Sequence, residues 1–486
     1  MSLDPHWPLN RTELPFAGRE CKDLTAIKGP RRSPIAKKEA MPINPGFFGT
    51  KKKGGKEMRK GRLGVWMAFL CALVMFPSSS AMAAETIRIG SLFPYTGPLA
   101  LLGQETFNGA TIAEDMVNEK GGIGGKKIEW VKADGVDPKK AMTECERLIA
   151  VEKVKVIFGT YSSSLSYAAS EVAERNKVVY FEQGAIADPI TARGFKYLFR
   201  FCAKAGEFGI LAANFAHGVV APKLKIDPKK MKVAIMFEDS LYGTTVGNNA
   251  VKRAKELGMD LVASESYSHK TVDLSPVVMI FKSKNPDVII ATSYIEDGIL
   301  FWRQAKDMDL NVKAFIGTGA CHGMPEFAKT FGKEANYVFN IDPAVGINPK
   351  IYKGNTEAIL KDFQQRFNKK FGHHPATHAT AGFDGARLLF EYILPKAPSL
   401  DPEAVRSAAL AVDIPQGAAS MFGYGVKFNP PDHPDAGQNL RAAPVLMQWQ
   451  DERLWVVHPP EFSIKKLLLP LPTWEERAKG TIRFVD

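Results

Sequence analysis

Residues 154–184, VKVIFGTYSSSLSYAASEVAERNKVVYFEQG, contain the unit that decides the fold. Two short apolar runs, Val154–Phe158 and Val178–Phe181, are bounded by glycine and polar residues, which predicts two buried strands. The stretch 165–175 between them predicts a helix. A strand, a crossover helix and a second strand form a βαβ unit, so the two strands are predicted to run parallel.

The same alternation of strand and helix patterns continues along most of the chain. Further strands are predicted at Ile87–Phe93, Lys127–Ala133, Val233–Phe237, Val262–Tyr267, Val288–Ala291 and Val312–Ile316. Further helices are predicted at Ala141–Val151, Leu241–Leu257 and Glu357–Phe371. In the last of these, Ile359, Phe363 and Phe367 recur every four residues and mark a side that faces the core. The patterns fall into two blocks, roughly 86–200 and 231–317, which predicts an α/β protein with two Rossmann-like doubly wound lobes.

Composition and charge agree with a globular protein. Of 486 residues, 45% are hydrophobic, 10% aromatic and 24% charged, and a chain of this length divides into more than one lobe. The formal charge of +12 is concentrated at one end, because residues 1–83 hold 15 Lys+Arg against 6 Asp+Glu. The remaining residues are nearly neutral, so the charge gives no reason to expect a nucleic-acid partner.

A secretory signal peptide is predicted at residues 58–83. Met58 is followed by three basic residues, an apolar run from Leu63 to Phe76, and Ala81-Met82-Ala83 as a small-residue cleavage site. The apolar run is shorter than the ~20 residues that a membrane-spanning helix needs. The mature protein is therefore expected to begin at Ala84, outside the cytoplasm, with no transmembrane helix.

Residues 1–57 precede this predicted signal and are rich in proline and lysine. A basic arm that binds nucleic acid is one interpretation of the cluster Lys51, Lys52, Lys53 and Lys56. We favour the other interpretation, a non-native or disordered lead, because signal peptides normally begin at the initiator methionine.

Motifs for metal binding and catalysis are weak or absent in the sequence. Cys145, Cys202 and Cys321 would remain after processing; they form no CxxC pair, although one disulfide between two of them stays open. His374 and His378 are four residues apart, but Pro375 places them across a loop and a helix start, so a solvated turn is favoured over a metal site. GxSxG, GxxxxGKS, HExxH and a GxGxxG after the first strand are all missing. We expect neither an enzyme nor a metal or cofactor.

The loops that follow the predicted strands are the candidate binding site, because ligands of open α/β sheets lie at the carboxyl ends of the strands. After Phe158 come Gly159, Thr160, Tyr161 and the serines 162–164. Three serines before a helix place hydroxyls and unpaired N–H groups where the helix dipole is positive, which suits a carboxylate or a phosphate. The simpler interpretation, that one serine only caps the helix, stays open.

Five motifs in collinear order resemble the periplasmic leucine/isoleucine/valine-binding proteins, the substrate-capturing components of ABC importers for branched-chain amino acids. The motifs are Ile87-Arg88-Ile89-Gly90 with Pro94-Tyr95-Thr96-Gly97, the serines 162–164, Tyr242-Gly243, Asp273-Leu274-Ser275, and Tyr294 followed by Arg303-Gln304-Ala305. Each motif alone is weak, but their order covers essentially the whole mature chain. The resemblance implies two Rossmann-like lobes joined by three crossover strands, with a solute in the cleft.

The resemblance also implies the residues of the site. The ligand carboxylate would be held by Ser163 and Ser164, with Ser162 in addition. The apolar part would lie near Tyr242 and Tyr294, with Tyr161 and Tyr95 near the rim. The remaining expected members are Gly184, Ala185, Ile186 and Gly319.

Two departures from the family pattern concern the recognition of an ammonium group. Ile186 stands where the family commonly has a threonine, and Gly319 stands where it usually has an acidic residue. Glu182, Glu238 and Asp297 are candidate substitutes, because each follows a predicted strand at the cleft end. We prefer Glu182, although any of the three is equally consistent with a solvated surface charge.

The sequence thus predicts a periplasmic solute-binding protein that captures an amino acid or a related small carboxylate by hinge closure and docks, as a monomer, on a membrane permease. Within the same fold, a plain carboxylic acid or an amide such as urea is the alternative ligand. A ligand sensor that docks on a signalling receptor is the alternative function. Lobe one is expected to comprise 84–204 with 343–422, and lobe two 205–342 with 423–486.

Overall fold

The structure is a computed structural model that describes residues 85–344 and 346–485. The predicted signal peptide, its cleavage site and the lead 1–57 lie outside the described residues and stay predictions. In the described part of the chain, none of the helices combines the length and the apolar character that crossing a bilayer requires.

Strands and helices alternate as the sequence predicts. The strands are β1 (Ile87–Phe93), β2 (Ile128–Asp134), β3 (Val156–Gly159), β4 (Val179–Glu182), β5 (Leu198–Arg200), β6 (Lys232–Glu238), β7 (Asp260–Tyr267), β8 (Val288–Thr292), β9 (Ala314–Thr318), β10 (Phe339–Asp342), β11 (Asp413–Ile414), β12 (Val426–Lys427), β13 (Val445–Gln450) and β14 (Arg453–His458). The helices are α1 (Ala100–Glu119), α2 (Pro138–Ala150), α3 (Ser163–Arg175), α4 (Ala205–Phe215), α5 (Ala221–Lys223), α6 (Leu241–Glu256), α7 (Ser275–Lys284), α8 (Ile295–Asp307), α9 (Pro325–Phe331), α10 (Thr356–Phe371), α11 (Thr377–Arg387), α12 (Pro402–Leu410) and α13 (Trp474–Lys479). The eight strands predicted from the sequence are confirmed, with ends that differ by at most two residues.

Two sheets share one strand order. The first sheet has the order β2-β1-β3-β4-β5 and is parallel throughout. The second begins β7-β6-β8-β9-β10 in the same parallel arrangement and then adds β13 and β14, which are antiparallel. Strands β3 and β4 are buried at every residue, which explains their unbroken apolar runs, because helices cover both faces of a parallel sheet.

Helix α11 completes the first lobe from far along the chain by packing closely against α1. A Cβ atom built on Gly109 would lie 1.8 Å from the Ala379 carbonyl oxygen, and one built on Gly382 would lie 1.8 Å from the Thr106 carbonyl oxygen. The two glycines therefore let the helix backbones touch, which fixes where α11 begins relative to the sheet.

The limits of the two lobes stay a prediction, but the strand pairing and the contacts below move the last limit, which the sequence placed at residue 423. The second sheet contains β13 and β14, but Phe428 packs against Phe181 and Phe199 of the first sheet. The Asn439 N–H also donates to the Arg200 carbonyl oxygen at 2.8 Å. We propose that the third crossing between the lobes lies between Ala442 and Val445, rather than at residue 423.

The three cysteines of the described residues are buried free thiols. The disulfide that the sequence left open is therefore not formed by Cys145, Cys202 or Cys321. Burial raises the pKa of the Cys145 thiol to about 12, which keeps it protonated and unreactive at physiological pH.

Candidate ligand-binding site

The carboxyl ends of both sheets face a common cavity, and the atom-free space there, including its opening to solvent, is about 490 Å³. It is lined by Tyr161, Ser163, Gln183, Gly184, Ile186, Cys202, Phe208, Tyr242, Tyr294, Gly319, Ala320, Asp342, Pro343, Thr377, His378 and Ala381. Seven predicted site residues are in this wall: Tyr161, Ser163, Gly184, Ile186, Tyr242, Tyr294 and Gly319. Ser162, Ser164, Glu182 and Ala185 are not part of the wall, although each lies next to a residue that is.

The serine cluster forms the N-terminus of α3, and Ser163 is the member that reaches the cavity. Ser162 occupies the N-cap position without making a side-chain capping bond. The first N–H groups of a helix have no acceptor within it, so the start of α3 offers donors and a positive dipole end. The Ser163 Oγ accepts a hydrogen bond from the Ala187 N–H at 3.2 Å, which leaves its own proton available to a ligand.

Glu182 organises the loops around the cavity instead of lining it. Its buried carboxylate accepts hydrogen bonds from the N–H groups of Thr160 at 2.6 Å, Tyr161 at 3.3 Å, and Gly184 and Ala185 at 2.8 Å each. Burial raises its pKa, and the donated N–H bonds oppose that rise. The geometry gives Glu182 a different task from the predicted one, because its oxygens are occupied by backbone donors.

Tyr161 is held over the cavity in an unusual backbone conformation. Its φ is +76°, which is costly for a residue with a Cβ. Its ring packs against Gly184, where a Cβ would lie 2.4 Å from Cδ2, and edge-on against the His378 ring at 4.8 Å between centroids. The role of Gly184 in the site is to leave room for the Tyr161 ring, which a larger residue at this position would displace.

Tyr242 and Tyr294 form the wall contributed by the second lobe. Their ring centroids are 5.2 Å apart, and the Tyr242 hydroxyl donates to the Thr318 carbonyl oxygen and accepts from the Ala320 N–H. Gly319 lies between these two partners with φ +82°, and a Cβ there would be 2.6 Å from the Tyr242 hydroxyl oxygen. A side chain at this position would be strained by the positive φ and would have to displace the Tyr242 hydroxyl, so the acidic residue of the family pattern does not suit this local arrangement.

The other two carboxylates named from the sequence are also engaged away from the cavity. The Glu238 carboxylate accepts from the Ser240 N–H and hydroxyl at 2.6 Å each and from the Gly243 N–H at 2.6 Å. Asp297 accepts from the Tyr267 hydroxyl at 2.7 Å, and burial raises its pKa to about 7. Neither residue lines the cavity.

Sequence reasoning missed four polar residues of the wall: Gln183, Asp342, Thr377 and His378. Asp342 ends β10, a strand that was not predicted because Asn340 interrupts its short apolar run. His378 lies in the first turn of α11 and is buried, unlike the exposed His374, so the predicted solvated turn is wrong for His378. The predicted loop and helix start around Pro375 is confirmed. An Asp-Pro pair after a strand was the signal that would have placed Asp342 at the cleft.

Known proteins resemble this chain over most of its length. A family model described as periplasmic binding protein matches residues 86–448. The Leu/Ile/Val-binding protein homolog 7 of Brucella suis biovar 1 (strain 1330) is 39% identical over 396 residues, which cover 81% of this chain and 96% of that protein.

Solved structures show the same fold. The branched-chain amino acid transporter substrate binding protein LivJ from Streptococcus pneumoniae, in complex with isoleucine, has a TM-score of 0.63 at 22% identity and covers 76% of this chain and 98% of its own. A solute binding protein of an ABC transporter from Rhodopseudomonas palustris BisB5, in complex with 3,4-dihydroxy benzoic acid, has a TM-score of 0.64 at 21% identity, with coverages of 79% and 98%.

Proposed function

Since this chain belongs to the periplasmic binding protein family, we propose that it is the extracytoplasmic solute-binding component of an ABC importer. It captures an amino acid or a related small carboxylate in the cavity between its lobes. The observation that carries this proposal is the cavity itself, which the carboxyl ends of both sheets enclose and into which the start of α3 opens.

A carboxylate is the group that fits the α3 end of the cavity. The free first-turn N–H groups and the helix dipole favour an anion, and the Ser163 hydroxyl adds a donor. No Lys or Arg side chain is among the residues that line the described cavity. A singly charged group bound by neutral donors suits a solute that must also be released.

The wall also has apolar and aromatic members. These are Ile186, Phe208 and Ala381, together with the rings of Tyr242 and Tyr294. A ligand with an apolar part of moderate size is therefore expected. The names of the relatives agree with this class, since one is called a Leu/Ile/Val-binding protein homolog and the two solved structures hold isoleucine and 3,4-dihydroxy benzoic acid.

Hinge closure is the proposed capture mechanism. The chain passes between the two sheets after Arg200, Asp342 and Ala442, so a hinge is proposed at these three places, where a few backbone dihedral angles are enough to open and close the cleft. The closed form is the one proposed to dock, as a monomer, on a membrane permease in the periplasm. We propose no catalytic step.

A thermal-shift screen tests the proposal. The secreted form is melted with amino acids, amides, and aliphatic and aromatic carboxylic acids, since a ligand at ~100 times its dissociation constant adds about 2.7 kcal/mol to the free energy of unfolding. The matched control is Ala381→Leu, which fills the cavity from α11. We expect at least one small carboxylate to stabilise the parent and not the filled variant. If no member of the panel does so, the proposed function is wrong.

A further inference from the structure

Exposed lysines line one edge of the first sheet, at the opposite end of the strands from the cavity. The parallel strands β2, β3, β4 and β5 start at that edge, and an exposed lysine lies within three residues before each of them. We call five residues the lysine edge: Lys127, Lys153, Lys155, Lys177 and Lys196. The Ile87 N–H donates to the Lys127 carbonyl oxygen at 2.8 Å. The Val179 N–H donates to the Lys155 carbonyl oxygen at 3.3 Å. The strand starts that carry these lysines therefore lie side by side.

The carboxylates near this edge are already engaged by other groups. The ion pairs there join Lys126 to Glu85, Arg88 to Glu129 and Glu152, and Arg147 to Glu152. The Glu174 carboxylate accepts hydrogen bonds from the N–H groups of Lys196 and Tyr197 at 2.9 Å each. In the described part of the chain, none of the five lysine side chains forms an ion pair. The edge thus has an excess of positive charge, although the chain from residue 84 onward is nearly neutral.

The helix ends at this edge do not by themselves account for the lysines. A cation near a helix C-terminus is favourable, and α2 and α3 both end here. Lys153 and Lys177 follow these helices with φ of +58° and +54°, a conformation that costs lysine free energy. The matching positions after α7 and α8 are Asn285 and Asp309, with φ of +49° and +51°. Lobe two therefore has the residue types that this backbone tolerates best, whereas lobe one has lysine in spite of the cost.

The corresponding edge of the second sheet is mixed in charge. Strand β6 begins with Lys232 and β7 with Asp260, and Lys313 before β9 pairs with Asp287 before β8 at 2.7 Å. The lysine edge is therefore a property of one lobe and does not follow from the shared strand order. Five neighbouring strands about 4.8 Å apart make this edge about 19 Å wide. A single phosphate group is much smaller, so the lysine edge fits an extended anionic surface.

We propose that the lysine edge binds the anionic headgroups of a lipid bilayer and holds the protein at a membrane surface. Ammonium groups on flexible stems suit mobile phosphate groups, whereas protein interfaces are enriched in arginine and aromatic residues and depleted in lysine. The cavity lies at the other end of the strands, so it stays free to take up a solute. For a component of the proposed importer, this retention raises its concentration beside the permease. The binding itself does not depend on the proposed function.

The experiment measures how the exported protein sediments with lipid vesicles. Vesicles of equal parts phosphatidylglycerol and phosphatidylcholine are compared with vesicles of phosphatidylcholine alone. One variant replaces all five residues of the lysine edge by glutamine. The matched control makes the same change at five exposed lysines of lobe two that form no described ion pair: Lys252, Lys255, Lys284, Lys329 and Lys333. Parent and variants share one N-terminus, so differences among them report on the substituted lysines.

We expect the parent to bind the mixed vesicles and not the neutral ones. A lysine near an anionic membrane surface strengthens binding about fivefold. If three of the five touch the surface at a time, the lysine-edge variant should bind about 100-fold more weakly. The control variant should stay within about fivefold of the parent, because its lysines lie beyond the reach of the surface charge. At about 1 M salt, where the Debye length is about 3 Å, the parent should no longer bind.

Three results would overturn the inference. The parent does not sediment with the mixed vesicles, which would leave an acidic protein as the partner of the edge; it binds neutral vesicles equally well; or the control variant loses as much binding as the lysine-edge variant. The melting temperatures should be unchanged, because every substituted side chain is exposed. If the five-fold variant melts early, Lys155→Gln and Lys196→Gln are tested singly, and each should bind about fivefold more weakly. A silent solute screen would instead count against the proposed function and leave the vesicle result standing.

Discussion

Glu182 and Arg200 are register partners on the neighbouring strands β4 and β5. In one and the same loop, Glu182 binds backbone N–H groups and Arg200 binds backbone carbonyl oxygens. The Glu182 carboxylate accepts from the Ala185 N–H at 2.8 Å, while the Arg200 guanidinium donates to the carbonyl oxygens of Ala185 at 3.3 Å and Ala187 at 2.7 Å. A loop held at both its donors and its acceptors keeps one shape, so the part of the cavity wall that includes Gly184 and Ile186 is formed before a ligand arrives.

Replacing Glu182 by glutamine should therefore destabilise the protein. The amide has one acceptor oxygen where the carboxylate has two, and its NH₂ group would face a backbone N–H. We expect the free energy of unfolding to fall by about 1.5–3 kcal/mol, measured by chemical denaturation. Glu146→Gln is the matched control, because Glu146 is exposed on α2. An unchanged stability would contradict the role of Glu182 in holding this loop.

Removing the Ser163 hydroxyl should weaken ligand binding. Ser163→Ala loses a donor to the carboxylate, which lowers affinity roughly 10- to 100-fold at about 1.4 kcal/mol per decade. The Ala187 N–H also loses its acceptor, so the ligand-free melting temperature should fall slightly. Ser164→Ala serves as the comparison, because Ser164 lies next in the helix but outside the cavity wall. Calorimetry showing equal losses in both variants would mean that the serines act only on the helix.

Adding a methyl group where α1 and α11 touch should disturb the binding site, although the change is made away from it. In Gly382→Ala the added methyl group meets the Thr106 carbonyl oxygen, so the two helices must separate. We expect a loss of about 1–3 kcal/mol of stability and weaker binding, because His378 lies one turn earlier on α11. Gly218→Ala places the same methyl group in open space and should be neutral or slightly stabilising. Equal behaviour of the two variants would contradict the close approach.

Stability should fall as the pH falls below about 6.5, because two histidines are buried in the neutral form. Burial lowers the pKa of His322 and of His378 to about 3. Between these values the unfolded chain binds protons that the folded chain does not, which costs up to about 1.4 kcal/mol per pH unit for each histidine. The raised pKa of Asp342 acts in the opposite direction.

The histidine contribution is isolated by comparing variants. From pH 7 to pH 5, His378→Gln should lose about 2 kcal/mol less stability than the parent. His374→Gln, at an exposed position, should follow the parent. Parallel curves for all three proteins, measured by denaturant titration, would show that His378 is not neutral in the folded state.

Processing is predicted to leave Ala84 at the N-terminus of the exported protein, within a residue or two. The order of basic, apolar and small residues after Met58 is the reason. N-terminal sequencing of material recovered from the periplasm measures it directly. Detection of any peptide from residues 1–57 on that material would contradict the predicted start.

The sequence predicted the parts of the molecule that depend on local pattern. Buried parallel strands such as β3 leave unbroken apolar runs, and their carboxyl ends point to the cleft, so Ser163 could be named from the pattern, while Tyr161 and Tyr242 were named through the family resemblance. The predictions that failed concerned the direction in which a side chain points from the end of its strand. Glu182 follows a strand at the cleft end, yet its carboxylate turns back to the loop N–H groups.

Residues far from the predicted loops could not be placed in the same way. His378 reaches the cavity only because Gly109 and Gly382 let α11 lie against α1, a contact between segments about 270 residues apart in sequence. No local periodicity encodes such a contact. The short strand β10 was hidden for a different reason, since a buried asparagine breaks its apolar pattern.

Both sheets are completed only by segments late in the sequence, and this has a consequence for the synthesis of the chain and for the export that we propose. Arg200 Nε bonds to Gln438 across 238 residues of sequence, α11 covers the first sheet, and β13 and β14 close the second. Neither lobe is whole until the ribosome has supplied almost the entire chain, and contacts of such long separation make folding slow. An emerging polypeptide of this topology stays extended for longer than one whose domains close in turn. That delay suits the export that we propose, because a polypeptide is threaded across a membrane before it folds.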